Sequence, residues 1–172
     1  MNIEKAKKIK GWMRISELQW IAQQAATHSN ILEVGVYEGR STRAWIDNLQ
    51  ENSRLSVMDS WDTEYGNGEG PIHFNTFKQN LKDKLCDITV IHGKSSSQLS
   101  LLKKEYDCIF IDAAHDYLSV TVDCTLAGQL LVPGGLLCGH DYEPSHSGLM
   151  KAVKELFPTV QNPVGTIWSV TL

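Results

Sequence analysis

The residues most able to do chemistry in this chain stand at the ends of short apolar runs. Glu33 and Gly35 close the run Ile31 to Val34, Asp59 follows Leu55 to Met58, Asp112 follows Cys108 to Ile111, and His140 with Asp141 follows Leu136 to Cys138. Apolar runs of this length, bounded by turn residues, read as buried strands. In open α/β sheets, ligands bind beyond the carboxyl ends of the strands, at the crevice where strand order reverses. One polar strand end means little. Four of them point to one cleft edged with carboxylates and imidazole.

The first strand runs into a turn with glycines at Gly35 and Gly39. Glycine lets backbone approach a ligand closely. A helix beginning near Ser41 would aim its N–H groups into the cleft. The turn is not the dinucleotide fingerprint, because Tyr37 occupies the place of the glycine that admits a pyrophosphate. Asp59 lies 24 residues past Gly35, where an acidic residue can accept hydrogen bonds from ribose hydroxyls. Glycine turn and Asp59 together suggest an adenosine-type ligand with no pyrophosphate.

The elements that must hold these residues alternate between helical and strand-like patterns, which favours a parallel α/β sheet. A helix starts at Ser16, with Ser16 and Gln19 as a capping box, and ends at His28 to Asn30. A second runs from Ser41, as its cap, to about Leu49. Residues 60–75 form a long loop, in which Gly66, Gly68, Gly70 and Pro71 argue against regular structure; a loop of that length is often functional. Helices follow at Phe74 to Leu85, Ser97 to Lys104, 116–131 and Leu149 to Phe157. Ile88 to Ile91 is the third strand and leads into Gly93, Lys94 and Ser95. Cys108 to Ile111, apolar throughout, is a central strand. Pro133-Gly134-Gly135 is a turn, and Thr166 to Val170 the stronger of two last strand candidates.

At 172 residues, 42% hydrophobic and 21% charged, the chain reads as one globular domain spanning 1–172, with a short N-terminal helical segment at 1–29. No apolar run approaches the ~18 residues of a membrane span, and MNIEKAKKIKGW is too charged for a secretory signal. The formal charge of −4 disfavours a nucleic-acid partner. Four cysteines without a C-x-x-C pair suggest no zinc finger; Cys108 and Cys138 read as buried hydrophobes, and a cytoplasmic location is expected.

The turn ILEVGVYEGRST resembles the E-x-G-x-x-x-G opening of the class I S-adenosylmethionine-dependent methyltransferases. Within that class the chain is most similar to the small-molecule O-methyltransferases of the methyltransferase domain 24 type. An F-I-D-x-x-H-x-Y pattern is present as Phe110-Ile111-Asp112-Ala113-Ala114-His115-Asp116-Tyr117. A P-G-G turn with an acidic strand end is present as Pro133-Gly134-Gly135 and His140-Asp141-Tyr142. Val57-Met58-Asp59-Ser60-Trp61 matches a V-x-D-P-W-type end, with Ser in place of Pro. The resemblance covers about residues 15 to 170.

It implies a Rossmann-like three-layer sandwich, with a mostly parallel seven-stranded sheet of order 3-2-1-4-5-7-6 and the last strand antiparallel. It also implies that Glu33, Gly35, Tyr37, Gly39 and Ser41 surround the methionine part of S-adenosyl-L-methionine. Asp59 would bind the ribose, with Ser60 and Trp61 beside it, and Gly93, Lys94 and Ser95 would sit near adenine. Asp112 joins this cofactor set.

Methyl transfer to oxygen is an in-line displacement in which the acceptor must be aligned and deprotonated. Two devices are open. A divalent ion, Mg or Mn, would lower the hydroxyl pKa; strands four and five are neighbours, so Asp112, His140 and Asp141 can converge on it. His140 favours manganese or another imidazole-tolerant ion over magnesium. The other device is His115 as general base; a structural alternative is a local bond to Asp112 or Asp116. Asp141 is the second catalytic candidate.

The implied function is O-methylation of a small hydroxylated molecule, a sugar or a phenol. Competing readings are a noncatalytic S-adenosylmethionine-binding module and, less favoured, a nicotinamide-dependent oxidoreductase. The short chain leaves acceptor selection to the 60–75 loop, the 142–148 loop, the N-terminal segment or a second subunit, so a homo-oligomer is one option.

Overall fold

The computed structural model describes residues 1–62 and 69–172. Part of the expected loop, 63–68, lies outside the described residues. Among those described, seven strands form one sheet: β1 (Asn30–Val34), β2 (Arg54–Asp59), β3 (Ile88–His92), β4 (Tyr106–Ile111), β5 (Leu131–Gly139), β6 (Gln161–Val164) and β7 (Ile167–Thr171). Their order is β3-β2-β1-β4-β5-β7-β6. The first five run parallel, while β7 is antiparallel to β5 and β6 antiparallel to β7. The expected topology is therefore present.

Alternation along β4 makes the sandwich. Cys108 and Phe110 face the layer of α1 (Ile15–Ala25), α2 (Arg40–Ile46) and α3 (Gly70–Asn80), packing with Leu18, Ile21, Trp45 and Phe77. Ile109 and Ile111 face the layer of α5 (Tyr117–Leu130) and α6 (Ser147–Leu156), packing with Val120, Cys124, Leu149 and Val153. Each such side chain contributes roughly 1.5–3 kcal/mol of burial. Both sides of the sheet are covered, which is why β4 carries no outward polar residue beyond Asp107.

Several local boundaries differ from the sequence expectation, each for a physical reason. α1 begins at Ile15, not Ser16, because Glu17 sits at the third helical position and accepts the Arg14 N–H at 2.6 Å. The Ser16–Gln19 capping box is not used. α2 is capped by Gly39, with φ +87° and no side-chain cap, so Ser41 lies inside the first turn. α3 opens at Gly70, ahead of Phe74, since Pro71 falls in the first turn, where a missing N–H costs nothing. The expected Ser97–Lys104 helix shortens to α4 (Ser95–Gln98) followed by a 3-10 turn at Leu99–Leu101. Pro133-Gly134-Gly135 is a register break inside β5, between the pairs Tyr106–Leu131 and Cys108–Leu136, not a turn ahead of it.

The segment before α1 is packed onto the first layer. Ile3, Ala6, Ile9 and Met13 are buried there. Arg40, the first residue of α2, donates to the carbonyls of Ala6, Lys7, Ile9 and Met13. Among the described residues no helix is long and apolar enough to cross a membrane.

Candidate functional site

The carboxyl ends of β1, β2, β4 and β5 open into a cavity of about 830 Å³. That lies in the upper part of the roughly 300–1,000 Å³ range of small-molecule sites. One end is formed by Gly35, Tyr37 and Ser41 with Asp59, Ser60 and Trp61. Gly93, Lys94 and Ser95 line the β3 side, and Asp112, His115, His140 and Asp141 the far end. Two expected site residues, Glu33 and Gly39, do not line it.

At the glycine-turn end the geometry is set by backbone. Gly35 has φ +87°, and a Cβ there would stand 1.9 Å from the Asp112 carbonyl oxygen. The glycine lets β1 and β4 close on each other, with the Asp112 N–H donating to Val34 O at 2.7 Å. Asp59 then collects the loose turn: Oδ2 accepts the Val36 and Tyr37 N–H groups at 2.7 and 2.9 Å, and Oδ1 the Trp61 N–H at 3.0 Å. Tyr37 is held at φ +53°, and its carbonyl accepts from the Trp61 indole at 2.9 Å. Trp61 is buried against Phe74 and Phe77. Lys94 Nζ lies 3.7 Å from Asp62 Oδ2.

Glu33 stands behind this turn, fully buried, with Oε2 accepting from the Thr42 hydroxyl at 2.6 Å. Burial outweighs the pull of the neighbouring Ser41 and Thr42 hydroxyls and pushes its carboxyl up to about 8. Through Thr42 it ties β1 to α2.

The far end is a chain of carboxylates and imidazoles. Asp141, just past β5, is held at φ +60°. Asp tolerates that left-handed region better than most residues. Its Oδ2 lies 2.9 Å from His115 Nε2 and its Oδ1 3.0 Å from His140 Nδ1. His115 belongs to the β4–α5 connection; Asp116 is spent on capping α5, through the Leu118 and Ser119 N–H groups. His115 therefore faces Asp141, not its chain neighbours. His146, from the segment after β5, packs its ring 4.3 Å from that of His115.

His140 is buried and meets three carboxylates: Glu17 Oε2 at 3.2 Å, Asp141 Oδ1 at 3.0 Å and Asp112 Oδ1 at 3.8 Å. Burial opposes its charge, but Asp141 and Glu17 overcome that and raise it to about 10. Burial raises Asp112 to about 6, with His140 opposing. For Asp141, burial is outweighed by His115 and His140, which hold it far below the usual carboxylate range. The contact with Asp141 raises His115 against burial.

Two sets of ligand-type atoms lie within 4.8 Å of one another, Asp112–His140–Asp141 and His115–Asp141–His146. Sequence reasoning singled out the first set and not the second. It missed Glu17, and it named the N-terminal segment without its residues Trp12, Met13 and Arg14, which form a wall of the cavity. Trp12 stands 5.3 Å from the Tyr37 ring, and His73 4.4 Å from it on the α3 side. Nothing local marks Glu17, whose partners Thr166 and His140 come from the other end of the chain.

Residues 32–142, from β1 to just past β5, match the model of a methyltransferase-domain family. The chain belongs to that family. The matched stretch of this methyltransferase holds both ends of the cavity and leaves out α1 and β7. No curated protein matches the sequence significantly. Solved structures share the fold. An O-methyltransferase from Bacillus cereus in complex with SAH is 19% identical over 99% of this chain and 90% of that one, TM-score 0.73. SAH-bound PaMTH1 of Podospora anserina is 17% identical, over 97% and 84%, TM-score 0.75. The O-methyltransferase TomG of Streptomyces achromogenes, solved with SAM and involved in tomaymycin synthesis, is 16% identical, over 98% and 89%, TM-score 0.75.

Proposed function

We propose that this methyltransferase transfers the methyl group of S-adenosylmethionine to a hydroxyl of a small molecule, a sugar or a phenol. One observation carries the reading: a single cavity joins the glycine turn and Asp59 to a far end of two carboxylates and two imidazoles. The family and the SAM- and SAH-bound relatives of the same fold support it.

The turn residues Gly35 and Tyr37 would hold the methionine part, and Asp59 the ribose, with Ser60 and Trp61 beside it. Gly93, Lys94 and Ser95 would flank adenine. The sulfonium needs no activation, so the chain's work is alignment and proton removal. His115 takes the acceptor's proton, and Asp141 orients the ring and stabilises the imidazolium that forms, the logic of a carboxylate–histidine pair. Glu33 and Gly39 act from behind, by fixing the turn.

A divalent cation fits the donor set of Asp112, His140 and Asp141, whose ligand atoms lie within 4.8 Å of one another. When bound it would supply Lewis acidity that lowers the acceptor hydroxyl's pKa. His140 must then offer a neutral nitrogen.

The test is calorimetric titration of chelator-stripped protein with S-adenosylmethionine, alone and with Mg²⁺ or Mn²⁺. Micromolar binding is expected, with a metal-dependent change that disappears in Asp141→Ala. Metal-indifferent binding would leave proton removal to His115 alone. No binding at all would end the methyltransfer reading.

A further inference from the structure

Glu17 sits on a helix that no motif ties to the site, yet it is 1% exposed and surrounded by donors. Oε2 accepts the Arg14 N–H at 2.6 Å, while Oε1 accepts the Thr166 N–H and hydroxyl at 2.9 and 3.1 Å. Its last partner is His140 Nε2, 3.2 Å from Oε2 in ion-pair rather than well-aligned hydrogen-bond geometry. The β6–β7 turn is shaped for this approach. Gly165 has φ +55°, and a Cβ there would stand 2.2 Å from Glu17 Oε1. The Thr166 carbonyl accepts the Tyr142 N–H at 2.9 Å, which ties the same turn to the segment after β5.

A carboxylate ringed by donors is ionised and can only accept. Its Oε2, 3.2 Å away, occupies the Nε2 side of the His140 ring and turns that nitrogen away from the cavity's carboxylates. The nitrogen left facing the cavity's carboxylates is Nδ1, 3.0 Å from Asp141 and 3.8 Å from Asp112. Imidazoles that ligate metals commonly donate their second N–H to a carboxylate, which fixes the tautomer and makes the ligating nitrogen more basic. An imidazole donor beside two carboxylates suits the manganese, cobalt and zinc class better than magnesium, which prefers oxygen.

We propose that Glu17 is a positioning residue that presents Nδ1 of His140 as a metal ligand, and so selects a transition-series divalent cation over magnesium. The proposal rests on the metal reading given above.

The test uses the full chain, stripped with chelator. Co²⁺ and Mg²⁺ are titrated into the wild type and into Glu17→Gln, His140→Asp and His146→Ala. Melting and S-adenosylmethionine affinity are recorded for each. The wild type should bind Co²⁺ with a visible absorption band, and Glu17→Gln should weaken it about 10–100-fold while cofactor affinity holds. His140→Asp should narrow the Co²⁺ to Mg²⁺ affinity ratio at least tenfold, and His146→Ala should leave Co²⁺ binding in place. Unchanged Co²⁺ binding in Glu17→Gln would overturn the proposal. So would loss in His146→Ala alone, which moves the ion to the His115–Asp141–His146 corner. A wild type that binds cofactor but neither ion ends the metal reading and this one with it; failure to bind cofactor as well ends the methyltransfer reading. Should Glu17→Gln not fold, an unchanged ion ratio in folded His140→Asp overturns the proposal.

Discussion

The two ends of the cavity are built from different materials. At the glycine turn, Asp59 is spent on three backbone N–H groups within the first two strand ends, so main chain defines the shape. At the far end the shape comes from side-chain charge: Asp141 lies between two imidazoles, and His140 among three carboxylates. A surface made of main chain suits a fixed ligand whose form never varies. A surface made of paired charges can take up or release a proton, or exchange a proton for a cation, which is what activation of an acceptor requires.

The contrast breaks most sharply at Asp141. Asp141→Ala should lower methyl transfer by about 10²–10⁴-fold while S-adenosylmethionine affinity shifts less than threefold; single-turnover rates beside calorimetry measure both. An equal fall in the two would mean the ends act as one.

Glu33 probes the turn from behind. Between its ordinary 4.5 and its buried value of about 8, the folded chain keeps a proton that the unfolded chain has lost. Stability should therefore fall as pH rises through that window, by at most about 1.4 kcal/mol per pH unit. Urea midpoints from pH 5 to 8 should show the slope, and Glu33→Gln should reduce it, leaving the same-sign part that Asp112 and His140 contribute.

Gly35→Ala strikes the seam that joins the ends. Its Cβ would have to displace the Asp112 carbonyl, so a loss of about 1–3 kcal/mol is expected, with weakened cofactor binding. Thermal melts would show it. The smallest effect belongs to Asp59→Asn, which keeps one acceptor oxygen of two. Cofactor affinity should fall about tenfold, or ~1.4 kcal/mol, with the saturated rate nearly unchanged.

The turn end was the legible one. Glycine spacing, Asp59 and apolar strands lie close together in sequence, and the strand order followed from the resemblance they support. Element boundaries were misread even where local chemistry decided them. Pro71 reads as a breaker until a helix starts around it, and Ser16 reads as a cap until Glu17 reaches back to Arg14. The far end was half legible: Asp112, His115, His140 and Asp141 were marked by position, but their pairing was not. Glu17 was invisible, because its meaning comes from Thr166 and His140, brought beside it only by the completed sheet.

Arg40 has a consequence for anyone rebuilding this molecule. Its guanidinium gathers four carbonyls of the preceding segment from the first residue of α2, next door to the glycine turn. The leading residues are thus no detachable tail but a module with its own fastener. Exchanging them between family members to alter acceptor choice would transplant a wall without its rivet unless the residue at position 40 travels with them.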